Sequence, residues 1–494
     1  VTTRRETRDF TSTTSTQQFI YGIQTHQNYE VNVAGDFLRE DNIVGAIASF
    51  TAGYKNSVYL NLQGRNDWFS SLPRENRSIF YPSASLSFVP TSAFESLKDS
   101  EVFDFLKLRV GFGSSAGFPN PYSTVIGLGS QTNAFLNPAD GAVINTLNIA
   151  DRLGNANLKP ELITEFEVGF EAQMFKNRLG LDISAYDKVS SDLILNNRFI
   201  DPSTGFTVTS DNLAEVSNKG IEVGINATVI RPKEANGFGW ELTGAWSVNE
   251  NIVESLGGES EQETIAGFTN LGNFAIPGEA YGVMQGSSIA RDANGNKIVQ
   301  SNGNYLGDPN LSIIGDPNAD LRMTGITNFS YKGFGLRAQV EYTHGGDIYS
   351  TTAAALISRG LSADTAYDRT RTFVLDGVQA DGSPNTVQIA ATDLGFRNSG
   401  FFIDEQAVWD ATSIRIREVS LSYDFPKKLI EKTPFGRMSI AFIGQNVWFK
   451  AINFPPGINF DPEVSSLGVG NGQGFDYLTG PTARRYGFSL NLTF

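Results

Sequence analysis

The side chains that most often carry out chemistry in proteins are scarce in this sequence. Its 494 residues include no cysteine and only two histidines, His26 and His344. Thiolate nucleophiles, disulfides and cysteine metal sites are excluded, and histidine-based catalysis is not expected. Carboxylates are plentiful, but pairs such as Glu165 and Glu167 lie two residues apart, with no nucleophile elbow or phosphate loop beside them. We predict no enzymatic activity and no cofactor.

One loop motif raises the alternative of a calcium ion. The segment Asp292-Ala-Asn294-Gly-Asn296 begins like the first three ligands of an EF-hand loop, whose oxygen atoms suit Ca²⁺. Position twelve of such a loop would be Gly303, where an EF-hand needs a bidentate glutamate. Asp308-Pro-Asn310 and Asp316-Pro-Asn318 carry residues that are typical of turns. A polar turn is the favoured interpretation of all three segments, and a nonstandard calcium site in the loops stays open.

Aromatic residues in the segments that we interpret as long loops could stack on the apolar faces of sugar rings. These are Phe401, Phe402, Trp409, Phe454, Phe475 and Tyr477. The alternative is that the rings pack the loops against one another or against a partner. From this set we take Trp409, Phe475 and Tyr477 as candidate substrate-binding residues.

The elements that position these residues must be strands. The chain has 38 Lys and Arg against 53 Asp and Glu, a net charge of −15 that argues against a nucleic-acid partner. With 50 glycines, 12% aromatic and 18% charged residues, the composition indicates a β-rich protein with many turns. No run of about 18 apolar residues predicts a transmembrane helix, but barrel strands carry their apolar residues in alternation.

Strict alternation over about ten residues is the dominant pattern. From Gly335 to His344, four apolar residues alternate with four polar ones, and the segments 165–174, 221–229 and 485–494 repeat this pattern. Strands of a soluble β-sandwich usually have about 5 to 6 residues. A tilted strand that crosses a bilayer needs about 9 to 11 residues, so the observed length favours a transmembrane antiparallel β-barrel over a soluble secreted β-protein.

The alternation predicts about sixteen strands, separated by connections of unequal length. We expect long extracellular loops at 189–218, 250–321, 346–412 and 448–484 and shorter periplasmic turns between them. A short periplasmic helix is predicted within 91–106, and a β-bulge near Arg417 and Glu418. The predicted strands are 1–12, 15–24, 28–37, 44–54, 57–66, 80–89, 106–114, 162–174, 178–188, 219–230, 239–249, 322–331, 335–345, 413–424, 437–447 and 485–494.

The last strand ends on an aromatic residue. Tyr486, Phe488 and Phe494 lie on one face of the alternating segment 485–494. This ending is similar to the C-terminal signal by which outer-membrane barrels are recognised for insertion. The alternative is an ordinary last strand that happens to end in phenylalanine.

In their order along the chain, a series of short motifs resembles the barrel of SusC/RagA-type TonB-dependent transporters, which are outer-membrane nutrient importers of Bacteroidota. The motifs span most of the chain. They include Gly64-Arg-Asn-Asp-Trp-Phe-Ser-Ser71, Phe80-Tyr-Pro-Ser-Ala-Ser-Leu-Ser-Phe88, Asn157-Leu-Lys-Pro-Glu161, Ile414-Arg-Ile-Arg-Glu-Val-Ser-Leu-Ser-Tyr-Asp-Phe-Pro426, Gly444-Gln-Asn-Val-Trp448, Phe460-Asp-Pro-Glu463 and Tyr486-Gly-Phe-Ser-Leu-Asn-Leu-Thr-Phe494.

The chain also departs from the pattern of the family. Members of the family have about twenty-two strands, an N-terminal plug domain in the lumen and a TonB-contacting segment ahead of the plug. Here about sixteen strands are predicted, and no plug or TonB-contacting segment is recognised. We therefore expect residues 1–494 to be the C-terminal part of a transporter barrel, because a free fragment would expose two unpaired strand edges to lipid.

The resemblance implies active import of a bulky nutrient, either an oligosaccharide or a peptide, across the outer membrane. It implies a SusD-like surface lipoprotein as a lid, the TonB-ExbB-ExbD complex acting through the plug, and outer-membrane lipid around the barrel. The alternative is a SusC-like barrel that serves as a structural subunit of a larger outer-membrane assembly or secretion complex. The state of the plug and of the TonB-contacting segment would distinguish the two.

Overall fold

A single large antiparallel sheet dominates the protein. The computed structural model describes residues 1–234, 236–257, 261–397, 402–467 and 472–494. Within those ranges fourteen long strands form the sheet, and each pairs with the next long strand along the chain. The strands are Thr2–Gln18, Tyr29–Tyr54, Val58–Phe69, Ser78–Phe88, Phe103–Gly117, Glu161–Met174, Leu179–Phe199, Val208–Ile230, Gly239–Leu256, Leu321–Tyr331, Phe334–His344, Ser413–Asp424, Arg437–Ala451 and Arg485–Thr493. The sheet is open, since Thr2–Gln18 and Arg485–Thr493 each pair with one long strand among the described residues.

One face of the sheet carries the predicted apolar band. Successive residues of a strand point to opposite faces, so the alternating apolar residues share one face. They are not covered by a second protein layer: Phe488 is 73% exposed and Phe442 is 55% exposed. Other members of the band with large exposure are Phe166, Val168, Ile221, Ile225, Leu336, Val340, Leu421, Tyr486 and Leu490. A band of this kind on a strand surface suits contact with hydrocarbon.

The predicted count of about sixteen strands is wrong, and the error lies at the N-terminus. One strand, Thr2–Gln18, stands where two strands were predicted at 1–12 and 15–24. A second, Tyr29–Tyr54, stands where two were predicted at 28–37 and 44–54. The charged residues near position 40 interrupt the apolar alternation, which suggested a break. The backbone pairing continues through them, and Arg5 Nη2 lies 3.2 Å from Glu40 Oε1 on the neighbouring strand.

The connections alternate in length as predicted, with one exception. Short turns at 55–57, 175–178 and 332–333 lie at one end of the sheet, and the segments 118–160, 257–320, 345–412 and 452–484 lie at the other. The expected loop 189–218 is wrong, because the strands extend to Phe199 and from Val208. Beyond the bilayer both faces of a strand meet water, so a strand there needs no apolar alternation. We call the long-loop end the mouth.

The helix predicted within 91–106 is present as two single turns, Pro90–Ala93 and Glu95–Lys98, and the backbone from Phe103 joins the sheet. The predicted bulge is confirmed by a register shift between Ile416 and Glu418. The remaining helices are short. They are the α-helices Thr351–Ser358, Ala391–Arg397 and Lys427–Ile430 and the 3-10 helices His26–Asn28, Pro202–Thr204, Ala363–Thr365 and Asp404–Ala407. Across the described ranges no helix has the length and apolarity needed to cross a bilayer.

Small sheets build the mouth. Four strands, Glu263–Phe268, Leu271–Ala275, Val283–Ile289 and Gly307–Gly315, form one of them. Asp347–Ser350, Val408–Asp410 and Phe475–Asp476 form another, and two hairpins pair Leu128–Leu136 with Val143–Ile149 and Thr372–Val374 with Gln388–Ala390. The strand Arg152–Leu153 pairs with Val208–Ile230. Two of the buried apolar clusters, around Met284, Phe475 and Phe454, lie among these elements, so much of the core is at the mouth.

Candidate functional site at the inner wall and mouth

The face of the sheet opposite the apolar band is polar, and we call it the inner wall. Arg109 projects from it between two acidic neighbours, with Nε 3.0 Å from Glu167 Oε1 and Nη2 2.8 Å from Asp182 Oδ1. Lys107 and Glu171 form a second pair at 3.3 Å. These residues alternate with the outward apolar rows, so the period of two that makes the band also makes the wall. The wall thus offers hydrogen-bonding groups along its height, and its cations Arg109 and Lys107 are each paired with carboxylates.

Two arginines of the strand Ser413–Asp424 bind the loop 452–484 to the inner wall. Arg415 makes a bidentate contact with Asp461, in which Nη1 lies 3.0 Å from Oδ2. Arg417 makes a second bidentate contact with Glu463, at 3.0 and 2.6 Å, and its Nε lies 2.8 Å from Glu341. Arg415 and Arg417 lie two residues apart, so the alternation of the strand places both on the inner face, and the bulge after Ile416 changes the phase only for the residues that follow them. We call this group the arginine clamp.

The carboxylate of Asp461 is ionised in a buried position. Burial would raise its pKa, but the hydrogen bonds from Arg415 and Thr482 outweigh burial and lower it below the ordinary value. Thr482 Oγ1 lies 2.6 Å from Asp461 Oδ2, so the same carboxylate also binds the end of the loop. Charge-assisted and bidentate bonds of this kind are the strongest hydrogen bonds in proteins.

Asp476 connects two loops in a similar way. Its side chain accepts hydrogen bonds from Ser350 Oγ at 2.7 Å, from the backbone N–H of Thr352 at 3.0 Å and from that of Thr479 at 2.9 Å. Burial by itself would raise the pKa of this carboxyl. The three bonds above and a fourth from the Thr479 hydroxyl outweigh burial, so the pKa is lower than the ordinary value. Asp476 therefore ties the helix Thr351–Ser358 to the loop 452–484.

The three candidate substrate-binding aromatics lie in the packed centre of the mouth. Phe475 is 0% exposed, with its ring 5.5 Å from that of Tyr349 and 5.8 Å from that of Tyr477. Trp409 stacks on Phe454 with centroids 5.5 Å apart. Because a stacking platform needs an open ring face, Phe475 offers none here. Trp409 and Tyr477 are half-buried, and their contact with substrate stays a prediction.

Other aromatics complete the description of the mouth. Phe402 is 55% exposed, and Phe401 lies outside the described residues. Burial, followed by the nearby charge of Asp404, raises the pKa of Tyr477 to about 12, so its hydroxyl is neutral at physiological pH. Phe268, which the sequence reasoning missed, is 63% exposed, and its ring centroid lies 6.5 Å from that of Tyr477 in a T-shaped arrangement. Only its position at the end of a short strand distinguishes it, and no local sequence pattern indicates it.

A cavity of about 810 Å³ lies between the inner wall and the loops of the mouth. Its polar lining is rich in amides and carboxylates, namely Asn249, Asn251, Asp316, Asn318 and Asp320, together with Tyr186. Tyr186 Oη donates to Asn249 Oδ1 at 3.1 Å. Such groups bind hydroxyls and peptide amides equally well, so the lining does not choose between a sugar and a peptide.

Two of the three acidic loop motifs form turns, and the third lies in a strand. Asp292 accepts from the side-chain amide of Asn296 at 3.0 Å and from the backbone N–H groups of Asn296 and Asn294, both at 2.8 Å. These bonds lower the pKa of Asp292, and that from the Asn296 side-chain amide has the largest effect. Asp308 and Asp316 accept in the same way from the backbone two residues ahead. Turn chemistry is thus confirmed at Asp292 and Asp316, whereas the prediction is wrong for Asp308-Pro-Asn310, which lies within the strand Gly307–Gly315 at a register shift against the strand Val283–Ile289. In the part of the chain that the structure describes, no three His, Asp or Glu side chains converge as a metal site would require.

The strand that carries the predicted insertion signal pairs with one long neighbour. Tyr486 stacks on Phe442 with centroids 6.2 Å apart, and Phe494 follows the last strand residue, with its ring 5.1 Å from that of Phe435. All three signal residues are exposed on the outer side, at 60, 73 and 87% for Tyr486, Phe488 and Phe494. Their recognition by an insertion machinery stays a prediction.

Comparisons with known proteins agree with this architecture. A family model described as TonB dependent receptor-like, beta-barrel, matches residues 3–370. A TonB-dependent receptor of Formosa agariphila is 27% identical over 484 residues, which cover 91% of this chain and 46% of that protein. The TonB-dependent receptor SusC of Bacteroides thetaiotaomicron is 26% identical over 465 residues, or 87% of this chain and 41% of that protein. The chain thus spans less than half of the length of these relatives, which are receptors and not enzymes.

The fold has a solved counterpart. The structure of the RagAB peptide transporter superposes with a TM-score of 0.70 at 17% identity, covering 95% of this chain and 49% of that chain. A second structure, of the RagAB peptide importer in a closed state, gives 0.71 at 16% identity, covering 99% of this chain and 53% of that one. Together with the exposed apolar band, these likenesses identify an outer-membrane protein. The chain belongs to the TonB-dependent receptor-like β-barrel family, is similar in sequence to SusC and shares the fold of the RagAB barrel.

Proposed function

We propose that the chain forms part of an outer-membrane importer of a bulky nutrient, either an oligosaccharide or a peptide. The observation that carries the proposal is the polar inner wall beneath loops that fold over it and are bound to it by the arginine clamp. A charge-paired wall gives a polar solute many weak, replaceable hydrogen bonds, which suits passage better than tight retention. The cavity at the mouth is large enough to take several sugar or amino-acid units.

The proposal includes additional strands, a plug domain and partner proteins. The open sheet has unpaired edges, which in a bilayer cost several kcal/mol for each unsatisfied backbone group. Further strands that close the barrel would satisfy these groups, and an N-terminal plug would fill the lumen. By analogy with RagAB and SusC, a SusD-like lipoprotein would cover the mouth and the TonB-ExbB-ExbD complex would act through the plug. The two RagAB structures are of a peptide transporter, which supports a peptide as the nutrient, while the lining of the cavity suits an oligosaccharide as well.

Deletion of the complete gene in its native host tests the proposal. The deletion strain is grown on a panel of oligosaccharides and of peptides as sole carbon source, with complementation by the wild type and by a variant that lacks the TonB-contacting segment. We expect loss of growth on one class of nutrient, restored by the wild type alone. Growth that is unchanged on every nutrient, combined with loss of a surface protein complex, would contradict import and support the structural-subunit alternative.

A further inference from the structure

Two glycines lie side by side on the outward face of the sheet. Gly244 pairs directly with Gly325, and this pair is flanked in the same row by Ile225 on one side and Val340 on the other. The row next toward the mouth holds Val223, Trp246, Met323 and Tyr342 in register. The two missing side chains leave a groove of about 390 Å³ whose walls are these aliphatic and aromatic residues.

Nothing within the chain requires glycine at these two positions. Neither residue has a positive φ, and no register shift interrupts the pairing at either position. A Cβ built on Gly325 would meet no atom within 4 Å, and one on Gly244 would meet only ordinary contacts at 3.9 and 4.0 Å. Glycine in the interior of a strand weakens it, and where no bulge or bend explains the glycine, it marks the close approach of another group.

Two other outward glycines show the contrast. The position of a Cβ on Gly64 lies 3.0 Å from the ring of Phe80, and that on Gly444 lies 3.3 Å from the ring of Tyr486. In both cases an aromatic ring of the adjacent strand covers the glycine and fills the space. Gly244 and Gly325 have no such cover, so the space above them is open to whatever surrounds the outer face.

We propose that the groove over Gly244 and Gly325 binds one acyl chain of a membrane lipid. The groove is continuous with the apolar band, which in an outer-membrane protein contacts hydrocarbon. The distance from Ile225 to Val340 covers three strand spacings, or about 14 Å, which gives an acyl chain a contact several methylenes long. Lipid tails are as apolar as these side chains, so the gain comes from van der Waals contact: the walls of the groove touch the chain on its sides as well as beneath it. The groove therefore retains its chain longer than the flat surface around it does.

The groove lies at the level of the middle of the bilayer. Gly244 is five residues from the short-turn end of the strand Gly239–Leu256, and Ile225 is five residues from the short-turn end of the strand Val208–Ile230. Because a tilted strand crosses the hydrocarbon in about 9 to 11 residues, this level is reached by acyl chains and not by lipid head groups.

Native mass spectrometry of the complete protein tests the proposal. The protein, purified in detergent with its partners, is titrated with palmitoyl-oleoyl phosphatidylethanolamine, and the number of retained lipids is counted. The test variant is Gly244→Leu with Gly325→Leu, which fills the groove. The control is Ala52→Leu, an exposed outward position that pairs with Leu60 at the far side of the sheet. Heat-modifiable migration in gels confirms that each variant is folded.

We expect the wild type and Ala52→Leu to retain one lipid more than the filled variant. Equal lipid numbers in the three proteins would overturn the proposal. A second readout places photoreactive benzoylphenylalanine at Met323 in whole cells. An adduct with the mass of a lipid supports the proposal, whereas an adduct to a second copy or to another membrane protein overturns it, because a protein side chain would then occupy the groove.

Discussion

Arg415 and Asp461 form a buried ion pair that joins the wall of the barrel to a loop 46 residues away in the chain. Both side chains are 3% exposed, and the two guanidinium nitrogens face the two carboxylate oxygens. Arg415 also lies over the ring of Phe449, with 5.2 Å between the guanidinium carbon and the ring centroid. The pair fixes where the loop 452–484 sits over the inner wall.

Replacing Arg415 by methionine should release that loop. The substitution leaves the Asp461 carboxylate buried without its partner, which typically costs about 3–5 kcal/mol. Hydrogen exchange and limited proteolysis should show lost protection across 452–484. Arg437→Met is the matched control, since Arg437 and Asp424 form an exposed pair at 2.9 Å whose loss costs about 0–1 kcal/mol. Equal effects of the two substitutions would contradict the role of the arginine clamp.

Acid should weaken the packing of the loop 452–484 at the mouth. The pKa values of Asp461 and Asp476 are lowered in the folded protein, so the unfolded loops take up protons first. Their contribution to stability is complete above the unfolded pKa of about 4 and is lost as pH falls through the folded values. Protease cleavage in 452–484, measured from pH 7 to pH 2, should rise at acid pH. In Asp476→Asn, cleavage should already be faster at pH 7 and should increase less as the pH falls. Cleavage that instead increases toward alkaline pH would contradict the role of these carboxylates.

A charge on the outer face should be far more costly than one on the inner wall. Val223 and Glu222 are consecutive residues that face opposite sides of the sheet. Val223→Lys should destabilise the barrel by about 2–4 kcal/mol if the residue lies near the bilayer midplane, whereas Glu222→Lys should be tolerated. The measurement is urea-induced unfolding of the complete protein in phospholipid vesicles. Similar midpoints for both variants would argue against lipid contact at the apolar band.

Truncation of two aromatic residues at the mouth should distinguish a ring that stabilises the loops from a ring that is free to contact substrate. Phe475→Ala removes a fully buried ring and should cost about 3–5 kcal/mol of local stability, seen as faster exchange of Ser350 and Asp476. Phe268→Ala removes an exposed ring and should leave exchange unchanged. If growth on the imported nutrient falls in Phe268→Ala while exchange is unaltered, Phe268 contacts the substrate. Wild-type growth and exchange in Phe268→Ala would exclude that contact.

Removal of the terminal ring should affect assembly more than stability. Phe494→Ala should lower the amount of heat-modifiable protein in the outer membrane several-fold, because the signal read during insertion is altered. Unfolding of the protein that does insert should be unchanged, since Phe494 is 87% exposed. Phe435→Ala, which removes the neighbouring ring, is the control. If both variants lower the amount of heat-modifiable protein equally, Phe494 acts through its packing on Phe435 and not as an insertion signal.

The sequence by itself determined the features that depend on neighbours along the chain. Alternation is local, so the outward rows, the inner wall, the bulge after Ile416 and the turn chemistry of Asp292 could all be predicted. Strand ends could not be predicted where the alternation stops. Above the bilayer both faces of a strand are in water, and the continuous strands Thr2–Gln18 and Tyr29–Tyr54 carry no apolar signal that marks their full length.

Only the tertiary structure decided how the mouth is packed. Phe475, Trp409 and Phe268 are all aromatic residues in connecting segments, and nothing local distinguishes the buried ring from the exposed one. Their burial depends on contacts between loops separated by more than a hundred residues, such as that between Ser350 and Asp476. The same holds for Arg415 and for Gly244 with Gly325: their partners lie on other strands or loops, and only folding sets which side chains meet.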